Sequence, residues 1–393
     1  MIPRSLAQPL QRHLSRGKSV LLLGPRQTGK TTLLAALPAA IRVSLVEPRV
    51  RQRYERDPSL FGAEVRALSD RRPLVVLDEV QRVPALMDVA QGLIDDRRAQ
   101  LVLTGSSARK LKRGRDVNLL PGRVVSLRLD PLTLEEDSRA SLSDLLTLGA
   151  LPGIRTEPSR ADRSEDLRSY VESYLEEEVR QEALVKQLAP FSRFLELAAL
   201  ESGRIANFRA IASDIGVSAP TVAAYYEILV DCLVAERIEP ITESTTRKRL
   251  TKSARFLFFD LGVRREAANE GPRLGQHRLG ELFEQLVGLE LIRLGRLHRP
   301  GSRLRFWRAP EGPEVDWVVE HHGVYVPVEV KWTDRPRPED AKHVATFLAE
   351  HRQARQGFVV CRVPRPLRLT KTITAVPWQS LAEAGGAVFD ALG

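Results

Sequence analysis

The sequence predicts an α/β chain of several domains, opening on a parallel sheet and closing on a second α/β unit. Three stretches carry that reading: "SVLLLGPRQTGKTTLLAAL" (19–37), "RPLVVLDEVQ" (72–81) and "EVDWVVEHHGVYVPVEVKWTD" (314–334). The first is an apolar run, a glycine-bearing turn and a helical pattern. The second is apolar on both faces, as a buried parallel strand is, and ends in two acids. The third alternates around a His-Gly turn, as a β-hairpin does.

The 393 residues suit two or three domains. Hydrophobic content of 43% and charged content of 28% are ordinary for a globular chain. No apolar run of about 18 residues offers a membrane span, and "MIPRSLAQPLQRHLSRGKS" has no signal-peptide core, so a cytoplasmic protein is expected. Cys232 and Cys361 lie in apolar settings and read as buried thiols rather than a disulfide or metal site. Net charge is +10, with only 10 Lys among 60 basic residues. Such a balance suits a polyanionic partner, and equally an arginine-rich composition with its charge scattered over the surface.

Taken in order, the first element is the strand–loop–helix. Gly24, Pro25, Arg26, Gln27, Thr28 and Gly29 form a loop whose amides can curl around phosphate oxygens, followed by Lys30, Thr31 and Thr32. Lys30 is placed to reach the β- and γ-phosphates of a nucleotide, and the Thr31 hydroxyl to hold Mg²⁺. About 45 residues on, Asp78 at the end of a buried strand is the expected indirect Mg²⁺ partner. Glu79 is expected to orient and polarise an attacking water. Ligands bind outside the carboxyl ends of parallel strands, which makes this spacing informative. "AQLVLTGSSARKL" supplies another buried strand, ending in Thr104, Ser106 and Ser107; one hydroxyl there, Ser106 for instance, can sense the γ-phosphate. Arg123 precedes a further strand and suits an arginine finger on a neighbouring copy's nucleotide, or a plain surface residue.

Residues 146–190 read as a charged helical connector. "FRAIASDIGVSAPTVAAYYEILVDCLVAERIEPI" has a helix-turn-helix shape, with Ser218 capping the second helix and a strand from Ile238. That helix carries Thr221, Tyr225 and Tyr226 but no Arg or Lys, a poor surface for reading bases. The basic cluster lies after it: Arg247, Lys248, Arg249, Lys252 and Arg255 suit sequence-independent phosphate contacts, or a solvated tip.

In the closing hairpin Asp316 lies on the first strand, and Glu329 and Lys331 on the second. A two-residue turn at His322-Gly323 sets Asp316 opposite Glu329, a four-residue turn makes them diagonal neighbours, and either register keeps them on one face. Like charges facing one another need compensation, from Lys331 or from a metal. A second acid-x-Lys match, Asp340-Ala341-Lys342, falls at a helix start and shows how cheap that pattern is. Pro327 is expected to confine its strand to an edge or a bulge. Trp307, Trp317 and Trp332 are expected to pack behind the site.

Beyond these pieces, "IPRSL", "LPGRVVSLRLDPLTLEE", "KSARFLFFDLGVR", "GELFEQLVGLEL" and "FWRAPEGPEVDWVVE" recur in order along nearly the whole chain. Together they resemble the AAA-type P-loop ATPases that carry a C-terminal DUF4143 region. The resemblance implies a P-loop ATPase domain with a parallel sheet at 1–145, a helical connector at 146–190, a winged helix at 191–268 and a PD-(D/E)xK nuclease-like α/β domain at 269–393. In that nuclease-like arrangement Glu284, Asp316 and Glu329 would hold Mg²⁺ or Mn²⁺, while Lys331 stabilises developing charge. Val315 stands where the motif's name has proline. The implied function is ATP hydrolysis coupled to DNA binding or remodelling, branched DNA included, with metal-dependent cleavage as a further activity. The alternative is an ATP-dependent switch or protein-interaction module, of toxin–antitoxin or defence type, whose C-terminal domain is catalytically silent.

Overall fold

The computed structural model describes residues 2–107, 122–175, 188–242, 253–271, 274–309, 312–383 and 386–393. It divides into two compact units, one built on Met1–Pro131 and the other on most of the chain from Leu132 onward.

The first unit is a five-stranded sheet in the order β2-β3-β4-β1-β5, flanked by helices. Its elements are α1 (Ala7–Ser15), β1 (Ser19–Leu23), α2 (Lys30–Ala35), β2 (Ile41–Ser44), α3 (Pro48–Arg56), α4 (Ser59–Arg66), β3 (Leu74–Asp78), α5 (Leu86–Asp95), β4 (Gln100–Gly105) and β5 (Val124–Arg128). Every ladder is parallel, so all strand carboxyl ends share one edge. The inner strands are apolar on both faces. Leu21, Val75, Leu77, Leu101 and Leu103 pack with Phe61 of α4 and with Leu86 and Leu93 of α5 in one core cluster. Since β4 lies between β1 and β3, its carboxyl end falls between the glycine loop and Asp78.

In the second unit, the helices Leu142–Leu148, Pro152–Thr156, Arg160–Ser169, Leu188–Leu200, Phe208–Ile215 and Ala219–Asp231 come before the strands. An eight-stranded sheet follows in the order β12-β13-β11-β10-β9-β8-β6-β7. These are β6 (Ala235–Pro240), β7 (Arg255–Phe258), β8 (Arg303–Arg308), β9 (Glu314–His321), β10 (Val324–Val330), β11 (Gly357–Cys361), β12 (Leu367–Arg368) and β13 (Ile373–Pro377). Strand β6 opens at Ala235 rather than Ile238, because Leu233 takes a left-handed conformation (φ 60°) that ends the helix abruptly. Strands β6 and β7 pair antiparallel, and β6 also pairs in parallel with β8. One sheet therefore runs across the boundary expected at 268/269.

The 23-residue helix Gln276–His298 packs against this sheet. At Gly288 a Cβ would sit 2.8 Å from the Trp317 ring, so a larger residue would push helix and sheet apart. Trp307 and Trp317 are fully buried, as expected. Trp332 differs: it is half-buried, edge-on to Phe283 at 5.4 Å and covered by the Arg362 guanidinium at 4.1 Å. Both cysteines are buried, and neither is in a disulfide.

The β9–β10 turn is His322-Gly323, with φ of 47° and 80°, the two positive values a type I′ turn requires. The register runs unbroken from Val324↔His321 to Val328↔Trp317, which puts Glu329 opposite Asp316. The expectation for Pro327 is corrected here: β10 is an inner strand between β9 and β11, without a bulge. Antiparallel pairs alternate between bonded and non-bonded. Counting from the turn, Pro327 falls in a non-bonded pair, so its missing N–H costs nothing on the β9 side. On the other side the β11 ladder begins only at Val328.

Candidate functional site

At the carboxyl edge of the first sheet, the chain leaves β1 at Leu23 and turns through the glycine loop. The Gly24 amide donates to the Gly105 carbonyl at 3.2 Å. A Cβ on Gly24 would meet the Leu129 carbonyl oxygen at 2.4 Å, so only glycine fits between β4 and β5. Gln27 and Gly29 have positive φ (59° and 90°), which bends the loop back over the start of α2. The Thr28 hydroxyl ties to the Pro25 carbonyl at 2.8 Å. Arg4, from the amino-terminal segment, clamps the loop from outside by donating to the Thr28 carbonyl and, at 2.7 Å, to the Asp130 carbonyl.

Lys30 is almost fully buried, and its Nζ lies 2.7 Å from the Gly24 carbonyl and 3.0 Å from that of Pro25. Thr31 Oγ1 stands 3.4 Å from Asp78 Oδ2, so a hydroxyl and a carboxylate converge on one small space. Two hard oxygens so placed fit Mg²⁺. Thr104 donates to Asp78 Oδ1 and accepts from the Glu79 backbone N–H at 2.9 Å, tying the two acids to the end of β4. Glu79 is itself left-handed (φ 59°, ψ 46°), a conformation that costs a non-glycine residue about 1–2 kcal/mol. Its Oε2 accepts from Ser106 Oγ at 3.0 Å and from Gln81 Nε2, and its Oε1 lies 3.9 Å from Lys30 Nζ. Both donors converge on Oε2, so the carboxylate is held by one oxygen on a strained backbone.

The remaining sequence candidates fall around this centre. Arg26 is half-buried in the loop, while Gln27 and Thr32 face solvent. Arg123 precedes β5 at the amino-terminal edge of the sheet, across the strands from the loop, where its Nε pairs with Asp95 Oδ1 at 2.6 Å. Sequence reasoning missed Arg4 and Gln81. Position 81 gave a signal, since a glutamine two residues after an acidic pair can fold back onto it, but nothing in the pattern marked it.

The second cluster lies on the C-terminal hairpin. Asp316 Oδ2 accepts the Val330 N–H at 2.8 Å, and Lys331 Nζ donates to Glu329 Oε1 at 2.7 Å. Glu329 is buried, and its Oε2 has no hydrogen-bond partner. Arg255, only 4% exposed, donates to Glu284 Oε1 at 2.8 Å and to Glu314. Its guanidinium lies over the Phe306 ring at 4.6 Å and the Trp317 ring at 5.4 Å. Burial, and for Glu284 and Glu329 the nearby Asp316 charge, hold all three carboxyls above the usual range; Arg255 and Lys331 oppose this. Lys331 is held above its ordinary range by Glu329, against desolvation.

Among the described residues no three His, Cys, Asp or Glu side chains are arranged to hold a metal ion. The expected trio of Glu284, Asp316 and Glu329 is thus not assembled into a ligand set. Arg255 draws Glu284 into an ion pair that reaches Glu314, Val330 takes one Asp316 oxygen, and Lys331 takes one Glu329 oxygen. Arg247, Lys248, Arg249 and Lys252 lie outside the described residues. Tyr225 and Tyr226, on the helix read as a poor surface for bases, are buried; Tyr226 stacks on Phe256 at 4.1 Å.

Comparison with known proteins agrees with the sequence at both ends. Residues 16–137 match the family model of an AAA domain. Residues 279–381 match the domain of unknown function DUF4143, and 139–273 match another, DUF8612. Uncharacterized proteins of Mycobacterium bovis and Mycobacterium tuberculosis are each 29% identical over 384 residues, covering 97% of this chain and 85% of theirs. Among solved structures, Cdc6p from Pyrobaculum aerophilum is 16% identical over 70% of this chain and 97% of its own, at a TM-score of 0.30. The clamp loader delta protein of Bacillus subtilis is 14% identical over 56% and 87%, at a TM-score of 0.26.

Proposed function

We propose that this chain, with an AAA domain at its N-terminus and DUF4143 at its C-terminus, binds and hydrolyses ATP and couples turnover to DNA binding. One grouping carries the reading: Lys30, the Thr31–Asp78 pair and Glu79 within a few ångströms under a glycine loop, at the carboxyl ends of β1 and β3. Magnesium-bound ATP brings the phosphoryl group and the charge that neutralises its oxygens. Lys30 turns from the loop carbonyls to the phosphates. Thr31 and Asp78 hold the metal side of the nucleotide, and Glu79 orients water for attack. Arg123 lies at the far edge of its own sheet, so a finger role for it is played on a neighbouring copy.

The DNA half rests on charge. Arg49, Arg53 and Arg56 are exposed along one face of α3, at spacings of four and three residues. Arg49 and Arg56 make no ion pair among the described residues. Helix α3 follows β2, whose last residue Ser44 pairs with Asp78, so this face adjoins the nucleotide edge. Its apolar side, Val50 and Tyr54, is committed to the core, which favours phosphate contact over membrane insertion.

For the C-terminal cluster, the Arg255–Glu284 pair favours a catalytically silent domain over a metallonuclease. Steady-state ATP turnover, measured with and without linear, forked and four-way DNA beside a Lys30→Ala control, tests the whole reading. Turnover that survives Lys30→Ala removes the site assignment. Slow turnover that no DNA alters favours an ATP switch acting on a protein partner. Mn²⁺-dependent nicking abolished by Glu329→Ala would overturn the silent reading of the C-terminal domain.

A further inference from the structure

Gln81 follows Glu79 in the 3-10 turn Val80–Arg82, and the left-handed backbone at Glu79 folds that turn back over the acid's side chain. Gln81 is only 4% exposed. Its Nε2 donates to Glu79 Oε2 and lies 2.9 Å from Ser106 Oγ, which donates to the same carboxylate oxygen at 3.0 Å. Three side chains thus close a ring around Oε2, leaving Oε1 as the oxygen on the side of Lys30. The other end of the amide is an anomaly: Gln81 Oε1 is buried, with no hydrogen-bond partner among the described residues. Stability alone would favour an apolar side chain of the same size here, because a buried unpaired carbonyl is unfavourable. Retaining the amide makes sense if its N–H is needed on Glu79.

We propose that Gln81 is the positioning residue for Glu79, fixing Oε2 so that Oε1 is presented to the water that attacks ATP. A carboxylate free to rotate about its last torsion offers two oxygens over a broad arc. One pinned by two donors offers a single lone-pair direction, which is what proton abstraction in the transition state requires. Gln81 touches neither nucleotide nor water in this scheme; it acts through Glu79. The inference rests on the ATPase reading above, and its test separates the two.

The full-length protein is compared with its Gln81→Leu, Gln81→Glu and Lys30→Ala variants. The readouts are affinity for a fluorescent ATP analogue, kcat and KM for ATP, the pH profile of kcat, and the urea midpoint. Gln81→Leu is expected to lower kcat about 10- to 100-fold, with nucleotide affinity within about twofold and the urea midpoint unchanged or raised. Gln81→Glu sets a second carboxyl against Glu79. While the pair shares a proton it mimics the amide, and once both ionise they repel. That variant is therefore expected to keep activity at low pH and to lose it on an alkaline limb absent from the parent protein. A purely structural role lowers the urea midpoint of Gln81→Leu and creates no such limb. Unchanged kcat in Gln81→Leu overturns the inference, as does a parallel loss of kcat and nucleotide affinity. Failure of the parent protein to bind the analogue, or equal turnover in Lys30→Ala, overturns the ATPase reading and this inference with it.

Discussion

Glu290 gives the second unit a pH-dependent stability whose size follows from its surroundings. It lies on the helix Gln276–His298 at 1% exposure, with Oε1 accepting the Leu134 N–H at 2.7 Å. Arg293 Nη1 is 3.9 Å from Oε2, too far for a hydrogen bond. Burial raises the carboxyl to about 7 from 4.5; Arg293 and the Leu134 amide oppose this, and Glu135 and Glu136 add to it. The folded protein therefore holds the proton more tightly than the unfolded chain. Stability is full below the unfolded value, falls as pH rises from 4.5 to 7, and is flat above. A shift of this size corresponds to about 3 kcal/mol overall, most of which develops between pH 5 and pH 8. Glu290→Gln keeps an acceptor for Leu134 and removes the titration. Urea unfolding followed by tryptophan fluorescence, on both proteins at pH 5 and pH 8, reads the difference. The variant should gain about 2 to 3 kcal/mol relative to the parent on going to pH 8. The same gap between the two proteins at both pH values would refute the assignment.

Further expectations concern the two sites and the basic face. Arg255→Met leaves Glu284 without its cation in a partly buried site and should cost about 3 kcal/mol in urea unfolding; a loss below about 1 kcal/mol would show the pair to be incidental. Gly24→Ala places a methyl group against the Leu129 carbonyl and should weaken ATP binding at least about tenfold, because overpacking here distorts the loop itself. Unchanged binding would mean the loop relaxes freely. Replacing both Arg49 and Arg56 with Gln should reduce the slope of log K against log salt for duplex DNA by about 2; an unaltered slope would take α3 out of the interface.

Much of the nucleotide site was legible because strand, loop and helix periods changed at fixed points around residues of definite chemistry. Lys30, Thr31, Asp78 and Glu79 converge as their spacing implied, since parallel strands bring their carboxyl ends to one edge. Gln81 and Arg4 were not legible. Gln81 depends on a left-handed turn at a glutamate, which no propensity suggests, and Arg4 reaches Asp130 across 126 positions of chain. The shared face of Asp316 and Glu329 was readable from the hairpin pattern, while the choice between two registers waited on the His322-Gly323 turn. Pro327 was misjudged because its effect depends on which pairs carry hydrogen bonds and where the neighbouring ladder starts. The state of the carboxylate cluster was hidden for a similar reason. Arg255 belongs to a strand far away in sequence and reaches Glu284 only through the sheet order β9-β8-β6-β7.

The central claim is that Glu79 drives ATP hydrolysis at a site that responds to DNA. Its most direct test is steady-state ATP turnover of the parent protein and Glu79→Gln, each with and without duplex DNA at low salt. The account predicts DNA-stimulated turnover in the parent, and a loss of about 10²- to 10⁴-fold in the variant while ATP binding persists. Equal turnover in the two proteins, or a parent that binds ATP without ever hydrolysing it, would contradict the account.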